Sequence, residues 1–92
     1  MNEKRLTVYF RGRVQGVGFR YTTERLSRQF PITGFVRNLQ DGRVEIVAEG
    51  LESSLGQFLN AIQTSFLATH IEDLETVWTE PEKIFKRFEI RH

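Results

Sequence analysis

The sequence predicts an α+β sandwich in which two helices lie on one face of an antiparallel sheet. Three observations lead there. Short segments with period-two apolar alternation recur along the chain, two segments with helical apolar spacing separate them, and glycine or proline punctuates the joins. A chain of 92 residues has room for one core, so a single domain over residues 1–92 is expected.

Leu6, Val8 and Phe10 alternate with Thr7, Tyr9 and Arg11, which makes the first strand. Gly12-Arg13-Val14-Gln15-Gly16-Val17-Gly18 interrupts that pattern, and Phe19, Leu26 and Phe30 then form a helical stripe closed by Pro31. Ile32 to Leu39 reads as a second strand, Gln40-Asp41-Gly42 as a tight turn and Arg43 to Glu49 as a third strand, together a hairpin. Beyond Gly50, Ser54 with Gln57 reads as a capping box, and Leu55, Phe58, Leu59, Ile62 and Phe66 mark the apolar face of a second helix. Leu74, Thr76 and Trp78 suggest a fourth strand ended by Pro81, and Phe88 with Ile90 a short closing strand. The order is βαββαβ with a short extra C-terminal strand. With both crossovers right-handed, the helices share one face in the ferredoxin-like arrangement.

Composition removes several chemistries. There is no cysteine, hence no disulfide, thiolate metal site or cysteine nucleophile. No apolar run has the length of a signal region or a membrane span, so a cytoplasmic protein without membrane contact is expected. Net charge is +1, yet residues 1–46 hold nine Lys or Arg against four acids and residues 47–92 hold four against eight. That asymmetry suits an anionic ligand or nucleic acid, and equally a solvated surface.

The informative segment is Gly12 to Arg20. Glycines at 12, 16 and 18 let the backbone turn its N–H groups inward at the start of a helix, a concavity suited to phosphate. The spacing is neither a Walker A loop nor a dinucleotide fingerprint, and by itself it also fits a plain strand-to-helix connection. Arg20 stands where the helix dipole disfavours a cation, which points to an anion beside it; an exposed surface arginine is the alternative. Strands one and two run parallel, so Asn38 ends at the same sheet edge as the loop, within two strand spacings of roughly 10 Å. Asn38 can orient a water there, or serve as a turn residue.

Gly12-Arg13-Val14-Gln15-Gly16-Val17-Gly18-Phe19-Arg20, then Gly34-Phe35-Val36-Arg37-Asn38 and Asp41-Gly42-Arg43-Val44-Glu45, closely resemble the acylphosphatase family. The match is dense from about Val8 to Gly50 and thinner beyond, where the closing Phe88-Glu89-Ile90 is similar. The resemblance implies that the amides of Gln15, Gly16, Val17, Gly18 and Phe19 bind a phosphoryl group, that Arg20 clamps it and that Asn38 positions the attacking water. Two departures concern connections: Pro31 stands where the family has a glycine, and Thr64 to His70 lacks a Gly-Pro turn.

The implied activity is metal-independent hydrolysis of acyl phosphates to carboxylate and inorganic phosphate, with water attacking phosphorus directly. No cofactor is implied, and phosphate is expected as product and competitive inhibitor of a monomer. The residue inventory suits that reaction. Phosphoryl transfer depends on positioning and charge stabilisation, and a carboxylate leaving group needs no general acid. Neither Arg20 nor Asn38 titrates near neutrality, so a nearly flat rate profile is expected, and a steep dependence near about pH 6.5 would implicate histidine. His70 and His92 read as surface residues, Asp41, Glu45 and Glu49 as turn and solvent-face residues, and Tyr9, Tyr21, Phe35 and Trp78 as core. The alternative is a non-catalytic module binding an anion or nucleic acid on the same fold; the RNP1 pattern of RNA-binding sheets is not reproduced.

Overall fold

Alternation along the strands sorts the residues into a face that meets the helices and a face that does not, and the architecture follows from it. The structure, a computed structural model, describes residues 2–92. It contains β1 (Glu3–Gly12), α1 (Phe19–Ser27), β2 (Thr33–Asn38), β3 (Val44–Leu51), α2 (Glu52–Gln63), a 3-10 helix (Phe66–His70), β4 (Ile71–Thr79) and β5 (Phe88–Arg91). The sheet order is β4-β1-β3-β2-β5. The first four strands pair antiparallel, and β5 adds to β2 in parallel.

Leu6, Val8, Phe10, Val36, Val44, Ile46 and Ala48 form the buried floor, against which Phe19 of α1 and Leu55, Phe58 and Ile62 of α2 pack. Phe10 and Phe19 are 5.0 Å apart between ring centroids, and Phe58 meets Phe88 edge-on at 5.5 Å. Truncating such a ring to alanine costs about 3–5 kcal/mol.

The closing connection has a long way to go. β4 and β5 lie at opposite edges, so residues 80–87 cross the sheet on its helix-free face. There the amides of Glu82 and Lys83 donate to the Glu49 carboxylate at 2.8 and 2.9 Å, and Arg5 Nε donates to it at 2.8 Å. Burial alone would push that carboxyl up; the two amides and Arg5 outweigh it and hold Glu49 below the ordinary range. Phe85 of the same segment packs on Phe35 and under Arg5 and Arg91.

Several expectations are corrected. Glu45 and Glu49 are not solvent-face residues but only 7% and 6% exposed, being ion-paired with Arg37 and Arg5 beneath covering side chains and the crossing segment. Ser54 does not cap α2. The helix starts at Glu52 after Leu51, and Ser54 is buried in its first turn. Phe66 leaves the apolar face of α2 and is 58% exposed, because Ser65 accepts the Leu67 N–H and starts the 3-10 helix, which buries Leu67 instead. Helix α1 stops at Ser27, and its stripe is completed by turn bonds from Gln29 to Leu26 and Phe30 to Ser27 ahead of Pro31. Tyr21 and Trp78 are 65% and 44% exposed rather than core, as α1 turns Tyr21 outward and Trp78 stands on an edge strand. Asp41 is the expected turn residue, its carboxylate accepting from Arg43 N and Nε at 3.1 and 2.8 Å.

Candidate active site

The sheet register defines the edge at which the candidate residues gather. Phe10 of β1 faces Val44 of β3, which faces Asn38 of β2, so one row joins the end of β1 to Asn38 across roughly 10 Å. Immediately beyond that row, Gly12 leads into the loop and Asn38 into the turn.

The loop curves back into α1 through two left-handed residues. Gly16 has φ 80° and Gly18 φ 78°, torsions that a side chain would oppose, and a Cβ at either would meet nothing within 4 Å. On either side of them the anchors are apolar, Val14 being fully buried and Phe19 nearly so. Among the described residues, no backbone acceptor is engaged by the N–H groups of residues 15–19. Helix α1 begins at this point with no side-chain cap and no acidic residue in its first turn. Amides left free at the positive end of a helix favour an anion.

Gln15 plays a part that the sequence does not advertise. Its Nε2 donates to the carbonyls of Leu39 and Arg43 at 2.8 and 2.9 Å, stapling the loop to the hairpin turn that follows Asn38. The Gln15 side chain therefore fixes the loop, and its backbone N–H is the group free to meet a ligand.

Neither Arg20 nor Asn38 is engaged by a carboxylate. Arg5, Arg28, Arg37 and Arg43 each meet a carboxylate, whereas Arg20 Nη1 meets His92 Nδ1 at 3.1 Å. Its positive charge is thus not cancelled. The Asn38 Oδ1 is buried without a hydrogen-bond partner, a costly condition for a carbonyl oxygen unless a ligand or water meets it. Reading the sequence placed Arg20, Asn38 and the loop at one edge but missed His92, which only the pairing of β5 with β2 brings there.

Comparison with known proteins decides the family. A sequence profile described as acylphosphatase matches residues 6–90. An acylphosphatase from Bacillus licheniformis is 47% identical over 81 residues, covering 88% of this chain and 90% of its own. The chain belongs to the acylphosphatase family. A second acylphosphatase, from Archaeoglobus fulgidus, is 41% identical over 87 residues, covering 95% of this chain and 97% of its own. The crystal structure of the Bacillus subtilis acylphosphatase superposes with a TM-score of 0.88 at 34% identity, covering 97% of this chain and 99% of that one. The chain is therefore an acylphosphatase-type hydrolase acting on small acyl phosphates, and its fold is the ferredoxin-like βαββαβ sandwich with an added strand. Among the described residues, no helix is long and apolar enough to cross a membrane.

Proposed function

We propose that the free amides of Gln15 to Phe19 and the Arg20 guanidinium hold the phosphoryl group of an acyl phosphate while Asn38 aims a water at phosphorus. The unpartnered Asn38 Oδ1 beside the loop carries this reading, since it can accept one O–H of that water. The water oxygen forms the new P–O bond as the bond to the acyl oxygen breaks. The electron pair leaves with the carboxylate, and the water's proton passes to the phosphate or to solvent. Charge growing on the equatorial oxygens faces amide dipoles and a guanidinium that are already in place. No metal and no covalent enzyme intermediate takes part.

Residues 1–92 act in this reading as one catalytic unit, a cytoplasmic monomer with phosphate as product and competitive inhibitor. The test is hydrolysis of acetyl phosphate in the presence of a chelator, with Arg20→Ala and Asn38→Ala alongside the parent. Parent activity should persist unchanged with chelator, and each variant should lose about a hundredfold or more in kcat/KM. Full activity in either variant removes that residue from the mechanism, and loss of parent activity with chelator removes the metal-free chemistry.

A further inference from the structure

Arg37 directly precedes Asn38, and Glu45 closes the motif that begins at Asp41, yet the chemistry above uses neither. The sheet register places them in one row. Tyr9 of β1 faces Glu45 of β3, Glu45 faces Arg37 of β2, and Arg37 faces Arg91 of β5. This row lies one residue inside the row that ends in Asn38, and alternation turns it to the helix-free face, where Phe35 meets Phe85. There Arg37 Nε donates to Glu45 Oε1 at 2.6 Å. The same guanidinium lies 5.6 Å from the centroid of the Phe35 ring.

We propose that Arg37 and Glu45 are positioning residues for Asn38, their ion pair fixing the end of β2 so that Oδ1 holds the attacking water in line with phosphorus. The proposal rests on Asn38 being the residue that aims that water. Oδ1 has no hydrogen-bond partner of its own, so the backbone that carries it sets its aim. That backbone is held on one side only. The pairing with β5 stops at Arg37 and Arg91, while β3 still pairs with Asn38 through Val44. An ion pair one residue back ties the strand end to β3, the central strand of the sheet.

Stability alone does not account for the pair. Glu45 is 7% exposed, and withdrawing a carboxylate from water costs about as much as its partner returns, so an apolar side chain of similar volume is often as stable. What the pair supplies is direction, since a guanidinium and a carboxylate bond in a narrow range of separation and angle whereas apolar side chains slide. Its neighbours are themselves fixed. Tyr9 stands on the β1 side of Glu45 with Arg43 over its ring at 4.7 Å, and Arg43 is held by Asp41 at 2.8 Å. On the β5 side Arg91 covers Phe35 at 4.1 Å. Two separate holds result. Gln15 sets the loop and with it phosphate binding, and Arg37 with Glu45 sets Asn38 and with it the water alone.

The experiment compares the parent with Arg37→Met, which keeps the stem and removes the guanidinium, Glu45→Leu, which keeps the volume and removes the carboxylate, and Arg37→Lys, whose ammonium can still meet Glu45. kcat and KM for acetyl phosphate and the inhibition constant of inorganic phosphate are measured for each. Arg37→Met and Glu45→Leu should lose about five- to tenfold in kcat, with KM and the phosphate constant within about twofold, because the aim of the water matters only in the transition state. Arg37→Lys should return to within about threefold of the parent. Introduced into Asn38→Ala, Arg37→Met should cost no more than a further twofold or so, since it acts through Asn38. An unchanged kcat in Arg37→Met, a phosphate constant that weakens in step with kcat, an Arg37→Lys no better than Arg37→Met, or the whole Arg37→Met loss on top of Asn38→Ala each overturns the proposal. Circular dichroism at the assay temperature shows whether the variants are folded; if Arg37→Met is not, Glu45→Leu decides. A fully active Asn38→Ala would instead overturn the reading of Asn38, and an inactive Asn38→Ala beside an unaffected Arg37→Met would overturn the role of the ion pair alone.

Discussion

Replacing Gln15 by alanine probes how the loop is held. The side chain contributes two neutral hydrogen bonds, to Leu39 O at 2.8 Å and Arg43 O at 2.9 Å. Neither carbonyl is orphaned by the change, because Leu39 O still accepts from Gly42 N and Arg43 O from Leu39 N. The loss is then two net bonds of about 1 kcal/mol each, together about 2 kcal/mol, without a desolvation penalty on top. For a domain of this size that lowers Tm by about 10 °C. The consequence for activity is separate. With the staple gone, the loop amides lose their fixed distance to Asn38, so phosphate inhibition should weaken and kcat/KM should fall by about tenfold. Thermal unfolding followed by circular dichroism gives the first quantity and acetyl phosphate kinetics the second. A variant that loses stability but keeps kcat/KM and phosphate inhibition would show that loop and hairpin are not mechanically linked, and one that loses neither would show that the staple contributes nothing.

Three further perturbations test other parts of the structure. Glu49 is held below the ordinary carboxyl range, so its stabilisation is complete above the unfolded value of about 4.3 and disappears as pH falls through the folded value. The gap in urea stability between the parent and Glu49→Gln should therefore narrow from pH 7 to pH 3, and a constant gap would contradict the assignment. Gly34 has φ 145°, and a Cβ there would stand 1.9 Å from Val47 O. Gly34→Ala should cost more than about 4 kcal/mol and abolish folding, whereas a soluble variant melting within a few degrees of the parent would refute the crowding. Ser65→Ala removes the side chain that accepts the Leu67 N–H at 3.1 Å and should cost about 1 kcal/mol in urea unfolding; an unchanged midpoint would show that the 3-10 helix is held by the burial of Leu67 alone.

What the sequence discloses depends on how local the signal is. The strands announce themselves because Leu6, Val8 and Phe10, or Val44, Ile46 and Ala48, need only their neighbours to show a two-residue period. The loop is equally visible, since its glycines and Arg20 lie within nine residues. The errors arise where distant segments intervene. Glu49 looks like a solvent-facing strand position until residues 80–87 cross over it, a path set by β5 pairing with β2 rather than with β4, and Glu45 does so until Arg37 of the neighbouring strand pairs with it. Phe66 fits the helical stripe of α2 until Ser65 starts a new turn. His92 looks isolated for the same reason. Its neighbour Arg20 is remote in sequence and meets it through a parallel strand pairing that no local pattern encodes.

The strand order also governs how the molecule comes into being. β1 occupies the interior between β3 and β4, and its pairing joins Arg5 to Thr79, a closure of about seventy residues. Such distant partners make folding slow, on the order of milliseconds to seconds, and oblige the first strand to wait. On a ribosome, β1 emerges long before one of its two neighbours exists. An apolar, half-paired ribbon is then exposed until translation passes Thr79, and this interval is where association with other nascent chains competes with completion of the sheet.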